Sequence, residues 1–285
     1  MTTRAAAPIR RTPAARRLAP WARFVLMVAL VGLTYFPLAG TLASALGIPL
    51  GGRGYGRPGP GPQPGWFERQ WQQYSHFLHG PALIWFENSL GLALFAVVAC
   101  VVVGAPAGYV LSRGRGRLVN GFALFVFAIQ SFPAFIFLPP LFLTFARLHL
   151  IDDLGPVAVI YVALSLAVAI WMFSAYFASI PIELEEAAWL DGSSVLGAFV
   201  RVVLRNSLPA ILSTAIFTFL FVWNDYLVAL LFLRSDVNYT LGIGLGASGR
   251  SPVLAVLISV PPILIFALLN RYFSIGGIAG ALSAR

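Results

Sequence analysis

Lysine is absent from this 285-residue chain, and all 19 of its basic residues are arginines. A nucleotide-binding loop ending in Gly-Lys-Ser/Thr therefore cannot be built from it. Charge is scarce as well: charged residues make up 10% of the sequence against 59% apolar. Such a balance does not suit a soluble domain, and several apolar windows exceed the ~20 residues that cross a bilayer. Cys100 is the single cysteine, which excludes an intrachain disulfide. The three histidines, His76, His79 and His149, lack supporting ligands at metal-site spacing, and the serines have no neighbouring base. No metal, no cofactor and no catalytic set is expected in this chain. The net charge of +9 could suit nucleic acid. The arginines, however, gather between apolar runs, as the positive-inside bias places them, so the expected surrounding is lipid and not nucleic acid.

What is present reads as an all-α, polytopic membrane protein with six spans. Residues 1–23 are rich in Ala, Pro and Arg and are expected to form a disordered cytoplasmic tail. Span 1 covers 24–46. Residues 47–84 form a Gly/Pro-rich outer excursion followed by a short interfacial helix over Trp66 to Leu78, where Phe67, Trp71, Tyr74 and Leu78 recur at helical spacing. The core then runs from 85 to 285. Its span 2 extends from Trp85 to Leu111 and is followed by the basic turn Arg113, Arg115 and Arg117. Span 3, Val119 to Phe145, carries Pro133, Pro139 and Pro140, and kinks there suggest a bundle interior or pathway wall. Span 4 is Val157 to Phe177, span 5 Leu208 to Phe232, and span 6 Pro252 to Phe273. Six spans put both termini and the 179–209 loop on one face.

That loop is too charged for burial in lipid. Glu183, Glu185, Glu186 and Asp191 lie near one end, Arg201 and Arg205 near the other. Pro181 and the acids after it suit a first helical turn. Asp191-Gly192 breaks the run, and Ser193 or Ser194 is placed to cap a second helix carrying Val195, Phe199, Val202 and Val203. Two short helices joined by a sharp glycine turn are expected. In span 5, Trp223, Asn224 and Asp225 put polar groups at membrane depth. They either line a pathway or make structural contacts with another helix or the interface.

The run Glu186-Ala187-Ala188, then Asp191-Gly192, Phe199, Leu204 and Pro209, resembles the EAA loop of the permease subunits of bacterial ABC importers. The preceding Ile-Pro-Ile-Glu-Leu-Glu and the Trp-Asn-Asp cluster look most like the carbohydrate-uptake branch. The resemblance implies the type I importer permease fold, with coupling helices in which Glu185, Glu186, Ala187, Ala188, Asp191, Gly192, Phe199 and Pro209 meet an ATPase. It implies Trp223, Asn224, Asp225 and Pro133 as residues of a solute pathway. It implies two ATP-binding subunits carrying ATP and Mg, a second homologous permease in a heterodimer, an extracytoplasmic solute-binding protein, and a bacterial inner-membrane location. Where the family has proline after the residue matched by Leu204, this chain has Arg205, so the second helix either runs on further or meets its partner differently. An ion-coupled secondary transporter would also suit six spans with internal prolines, but leaves Ala187 to Gly192 without a use. A non-catalytic structural membrane subunit would suit the hydrophobicity alone.

Overall fold

The computed structural model describes residues 13–46, 65, 68, 71–72, 74–75, 80–248 and 252–276. Expectations for residues 1–12, the 47–64 excursion, most of the Trp66 to Leu78 helix, and His76 and His79 lie outside the described residues. The chain divides into two units, 1–70 and 71–285. The first contains helix α1, Pro13–Ala45. It starts upstream of the apolar run, so residues 13–23 are helical where a disordered tail is expected, and its Trp21–Ala43 portion is apolar and long enough to cross a membrane.

In the second unit, α2 (Ala82–Arg113) and α5 (Leu154–Ala178) are each long and apolar enough to span. Between them, the expected span 3 is two helices, α3 (Arg117–Ser131) and α4 (Leu138–Arg147), meeting at 81° across a short 3-10 turn. The break falls at Pro133, one of the prolines at which a kink is expected. Its ring forces Phe132 into an extended conformation, φ −90° and ψ 136°, which no helix can continue through. Pro139 and Pro140 fall in the first turn of α4, where their missing N–H groups cost nothing.

Expected span 5 is likewise divided, into α8 (Leu208–Trp223) and α9 (Leu227–Phe232). Asp225 causes the break by taking the backbone for itself: its Oδ2 accepts from the N–H groups of Val228 at 3.0 Å and Ala229 at 3.4 Å. A short helix, α10 (Leu241–Ala247), and a last long one, α11 (Pro252–Gly276), complete the unit. The short helices α6 (Glu183–Leu190) and α7 (Val195–Ala198), the latter continuing as a π-helical turn through Leu204, occupy the loop between α5 and α8.

The bundle is organised on the α2–α5 crossing. Gly104 and Gly108, four residues apart, lie on one face of α2 and let the backbones touch. A Cβ at Gly108 would sit 2.6 Å from Phe173 Cβ and 2.9 Å from the Ile170 carbonyl oxygen. Outward, Leu94, Phe95, Val98 and Val102 stand exposed along the same helix, as lipid contact requires.

The end of the bundle remote from the 179–209 loop is locked by polar contacts. Trp85 Nε1 donates to the Asp236 carbonyl at 2.8 Å, Asn88 Nδ2 donates to Val237 and Tyr239 carbonyls, and Ser89 Oγ accepts the Leu241 N–H. Asp152, in a left-handed conformation with φ 64°, joins the α4–α5 turn to the same strap. Its N–H donates to Phe232, its carboxylate accepts the N–H groups of Arg234 and Ser235, and its carbonyl accepts from Asn238. Burial alone would raise its pKa, but the Ser235 and Arg234 N–H groups outweigh that and hold the carboxyl down at about 2.

Gly108→Ala should cost about 1–3 kcal/mol of stability through overpacking, whereas Gly91→Ala, with nothing within 4 Å of its added Cβ, should cost little. Thermal unfolding of the two variants in detergent reads the difference directly. Because the folded pKa of Asp152 lies below its ordinary 3.8, its stabilising contribution is complete above that value and is lost as pH falls through about 2. Asp152→Asn should therefore lower the unfolding midpoint at pH 7 and flatten its acid dependence between pH ~4 and ~2.

Candidate functional site

The 179–209 loop folds as the glycine turn demands. At the end of α6, Gly192 adopts φ 84°, its N–H donates to Trp189, and the Ser193 N–H reaches back to Ala188 at 2.9 Å. These two bonds define a Schellman termination, in which the residue after the helix must be left-handed and glycine is the residue that accepts it without a Cβ penalty. Of the two serines offered by the sequence, Ser194 is the cap of α7, its Oγ accepting the Gly197 N–H at 3.1 Å. The helical run from Val195 continues through Arg205 to Asn206. Ser207 then turns the chain by 78° into α8, with Pro209 in the first turn of that helix.

The side chains of the loop divide by face. Glu183, Glu186, Ala187, Asp191 and Gly192 are exposed and Ala188 is half-buried. Among the exposed apolar residues, Leu190 is 89% and Leu196 71% accessible. Two of the expected docking residues, Phe199 and Glu185, are buried within this subunit. Phe199 is buried, its ring 4.7 Å from that of Tyr109 and edge-on to Phe177, because it belongs to the apolar stripe that seats α7 on the bundle. Glu185 has no exposed surface. Its Oε1 accepts from Arg113 Nε at 2.8 Å, its Oε2 from the Tyr109 hydroxyl at 2.5 Å, and Arg113 Nη2 also donates to the Ile180 carbonyl. Helix periodicity explains the split, since Glu185 is one position, and therefore ~100°, from Glu186.

The Trp-Asn-Asp cluster lies at the opposite end. Trp223 is buried, stacked on Phe219 and edge-on to Phe86, with Nε1 donating to the Ile258 carbonyl of α11. Trp223 thus packs in the helix core of this subunit. Asp225 is half-buried and, besides stopping α9 from joining α8, accepts the Tyr161 hydroxyl at 2.9 Å. Asn224 is exposed, its amide returned to the Leu220 carbonyl, and Pro133 is exposed at the α3–α4 break.

Tyr109, Arg113 and Tyr161 were not expected as site residues. Arg113 reads in sequence as a topological arginine, and only its pairing in space with Glu185 shows another use. A signal was present in Gly108-Tyr109 followed four residues later by Arg113, since that spacing puts the phenol and the guanidinium on one helix face. Among the described residues, no three of His, Cys, Asp and Glu gather where they could hold a metal ion.

Comparison with known proteins gives the family. The sequence profile described as binding-protein-dependent transport system inner membrane component matches residues 100–276. The putative ABC transporter permease protein ORF1 of Streptomyces antibioticus is 36% identical over 203 residues, covering 68% of this chain and 89% of that protein. The trehalose/maltose transport system permease protein MalG of Thermococcus litoralis is 32% identical over 216 residues, covering 72% and 76% respectively. In fold, the chain is similar to a chain in the crystal structure of a bacterial ABC transporter involved in the import of the acidic polysaccharide alginate. The TM-score is 0.75 at 20% identity, over 94% of this chain and all of the other. This chain belongs to the binding-protein-dependent inner-membrane component family and is a multi-pass permease subunit of an ABC solute importer of the inner membrane.

Proposed function

We propose that this permease carries a sugar or related polyol by alternating access, driven through the 179–209 loop by ATP hydrolysis on two partner subunits that hold ATP and Mg. Proteins of the family are not themselves catalytic and work with ATPase and binding-protein partners. The observation that carries the docking assignment is the outward face of α6 and α7. Leu190 and Leu196 are exposed on the same short loop as Glu186 and Asp191, on either side of the Schellman turn at Gly192. An apolar centre with flanking carboxylates suits a groove on a soluble partner, where buried apolar anchors supply most of the affinity.

The sugar assignment is supported by the trehalose and maltose of the Thermococcus relative and by the arabinooligosaccharides of a Halalkalibacterium halodurans relative, 32% identical over 208 residues. Both termini and the loop are cytoplasmic, in keeping with Arg113, Arg115 and Arg117 at the same end of α2 as Glu185. A second, homologous permease completes a heterodimer, and a solute-binding protein delivers substrate at the opposite face. Asn224 and Pro133, both exposed, are the pathway residues of this reading.

Expression with a candidate ATPase and a second candidate permease should yield a complex whose vesicles take up labelled trehalose or maltose only when ATP is present. Leu190→Asp, at a position too exposed to disturb the fold, should weaken ATPase association by about 2 kcal/mol or more in a pull-down titration. ATP-independent uptake by the chain alone would contradict the importer mechanism and favour an ion-coupled carrier.

A further inference from the structure

Glu185 is out of place for a residue of a docking loop. Its neighbours Glu183 and Glu186 face outward, while its own carboxylate is fully enclosed at the end of α2. Enclosing an ion pair carries a desolvation penalty, and apolar residues of the same volume would hold two helices together at least as well. Apolar packing, however, allows a short helix to slide. Directed charge-assisted hydrogen bonds fix its position and orientation.

Here three bonds run from the last turns of α2 into the start of the loop. Arg113 grips both the Glu185 carboxylate and the Ile180 carbonyl, and Tyr109 fills the second carboxylate oxygen. The covalent connections of α6 are pliant by comparison. Ser179 to Ile182 is non-helical on one side, and the Gly192 turn stands on the other. Displacement of the loop's outer face would be absorbed at those turns unless α6 were tied to a long element. The long element is α2, locked on α5 by Gly108 and bonded at its far end to the 236–241 strap.

We propose that Arg113, Glu185 and Tyr109 are positioning residues that make α2 follow the α6–α7 corner, giving the loop a second attachment to the membrane core besides its covalent ends. The proposal rests on the reading of the loop as the ATPase-docking element. It assigns Glu185 to transmission within the permease and leaves contact with the ATPase to the exposed residues around it.

The test uses the assembled importer with Arg113→Gln, Glu185→Gln and the double variant, measuring ATPase association, basal and solute-stimulated ATP hydrolysis, uptake, and thermal stability of the complex. The expected result is normal association and basal hydrolysis with about a tenfold loss of solute-stimulated uptake in each single variant. The double variant should lose no more than either single one, because both remove the same linkage. Tyr109→Phe, which deletes one hydroxyl and leaves the ring packing, should show the same loss to a smaller degree and serves where a charge variant fails to accumulate. Stimulated uptake at the wild-type level in variants that assemble would overturn the proposal. So would loss of ATPase binding by a stably folded Glu185→Gln, which would make Glu185 a docking group, or losses that only track thermal stability. If the wild-type chain itself does not bind the ATPase, the docking reading fails first and the linkage fails with it. Intact docking with unaltered coupling sinks the linkage alone.

Discussion

The contact of α2 with α5 at Gly108 is the constraint on which the rest of this permease depends. An added methyl group there would meet Phe173 at 2.6 Å, so two long helices of the core are in backbone contact. In a bilayer, where lipid is as apolar as the side chains it would replace, such close approach is a main source of helix association. It also makes α2 a rod: 32 residues give ~48 Å of helix, long enough to reach from one face of the membrane to the other. One end of that rod holds the strap from Asp236 to Leu241, and the other holds Glu185.

The few carboxylates in this sequence are used economically, and the structure shows how. Asp152 ties a turn to a strap, Asp225 interrupts a helix and takes up the Tyr161 hydroxyl, and Glu185 joins a surface helix to a spanning one. In each case at least one carboxylate oxygen is answered by backbone N–H groups, a phenol or a guanidinium, which is what makes a carboxylate tolerable away from water. The acids left exposed, Glu183, Glu186 and Asp191, are those beside Leu190 and Leu196 on the proposed docking face. Burial thus sorts one short acidic run into an internal linkage and an external surface.

Sequence reasoning reached the architecture because its signals are local. Apolar run length marks the spans, and Asp-Gly followed by serines marks the corner between α6 and α7. It left the choice open where a local pattern has two physical outcomes. Pro133 can kink a helix or end it, and the 81° turn became visible only with the position of α4 in hand. Asp225 can face solute or cap a helix, and the choice depends on Tyr161, sixty-four residues earlier. Glu185 and Glu186 look interchangeable in sequence, since the side of α6 that meets α2 is decided by how α5 delivers the chain.

The central claim is that α2 and the α6–α7 corner move as one body during the transport cycle. The direct measurement is a spin-label distance between Val110 on α2 and Leu184 on α6, both half exposed, in the assembled importer with and without ATP. The account predicts a distance that changes by no more than the ~1–2 Å of packed-helix adjustment, even as the complex passes from one conformation to the other. A larger change on ATP binding, with α6 leaving the end of α2, would contradict it.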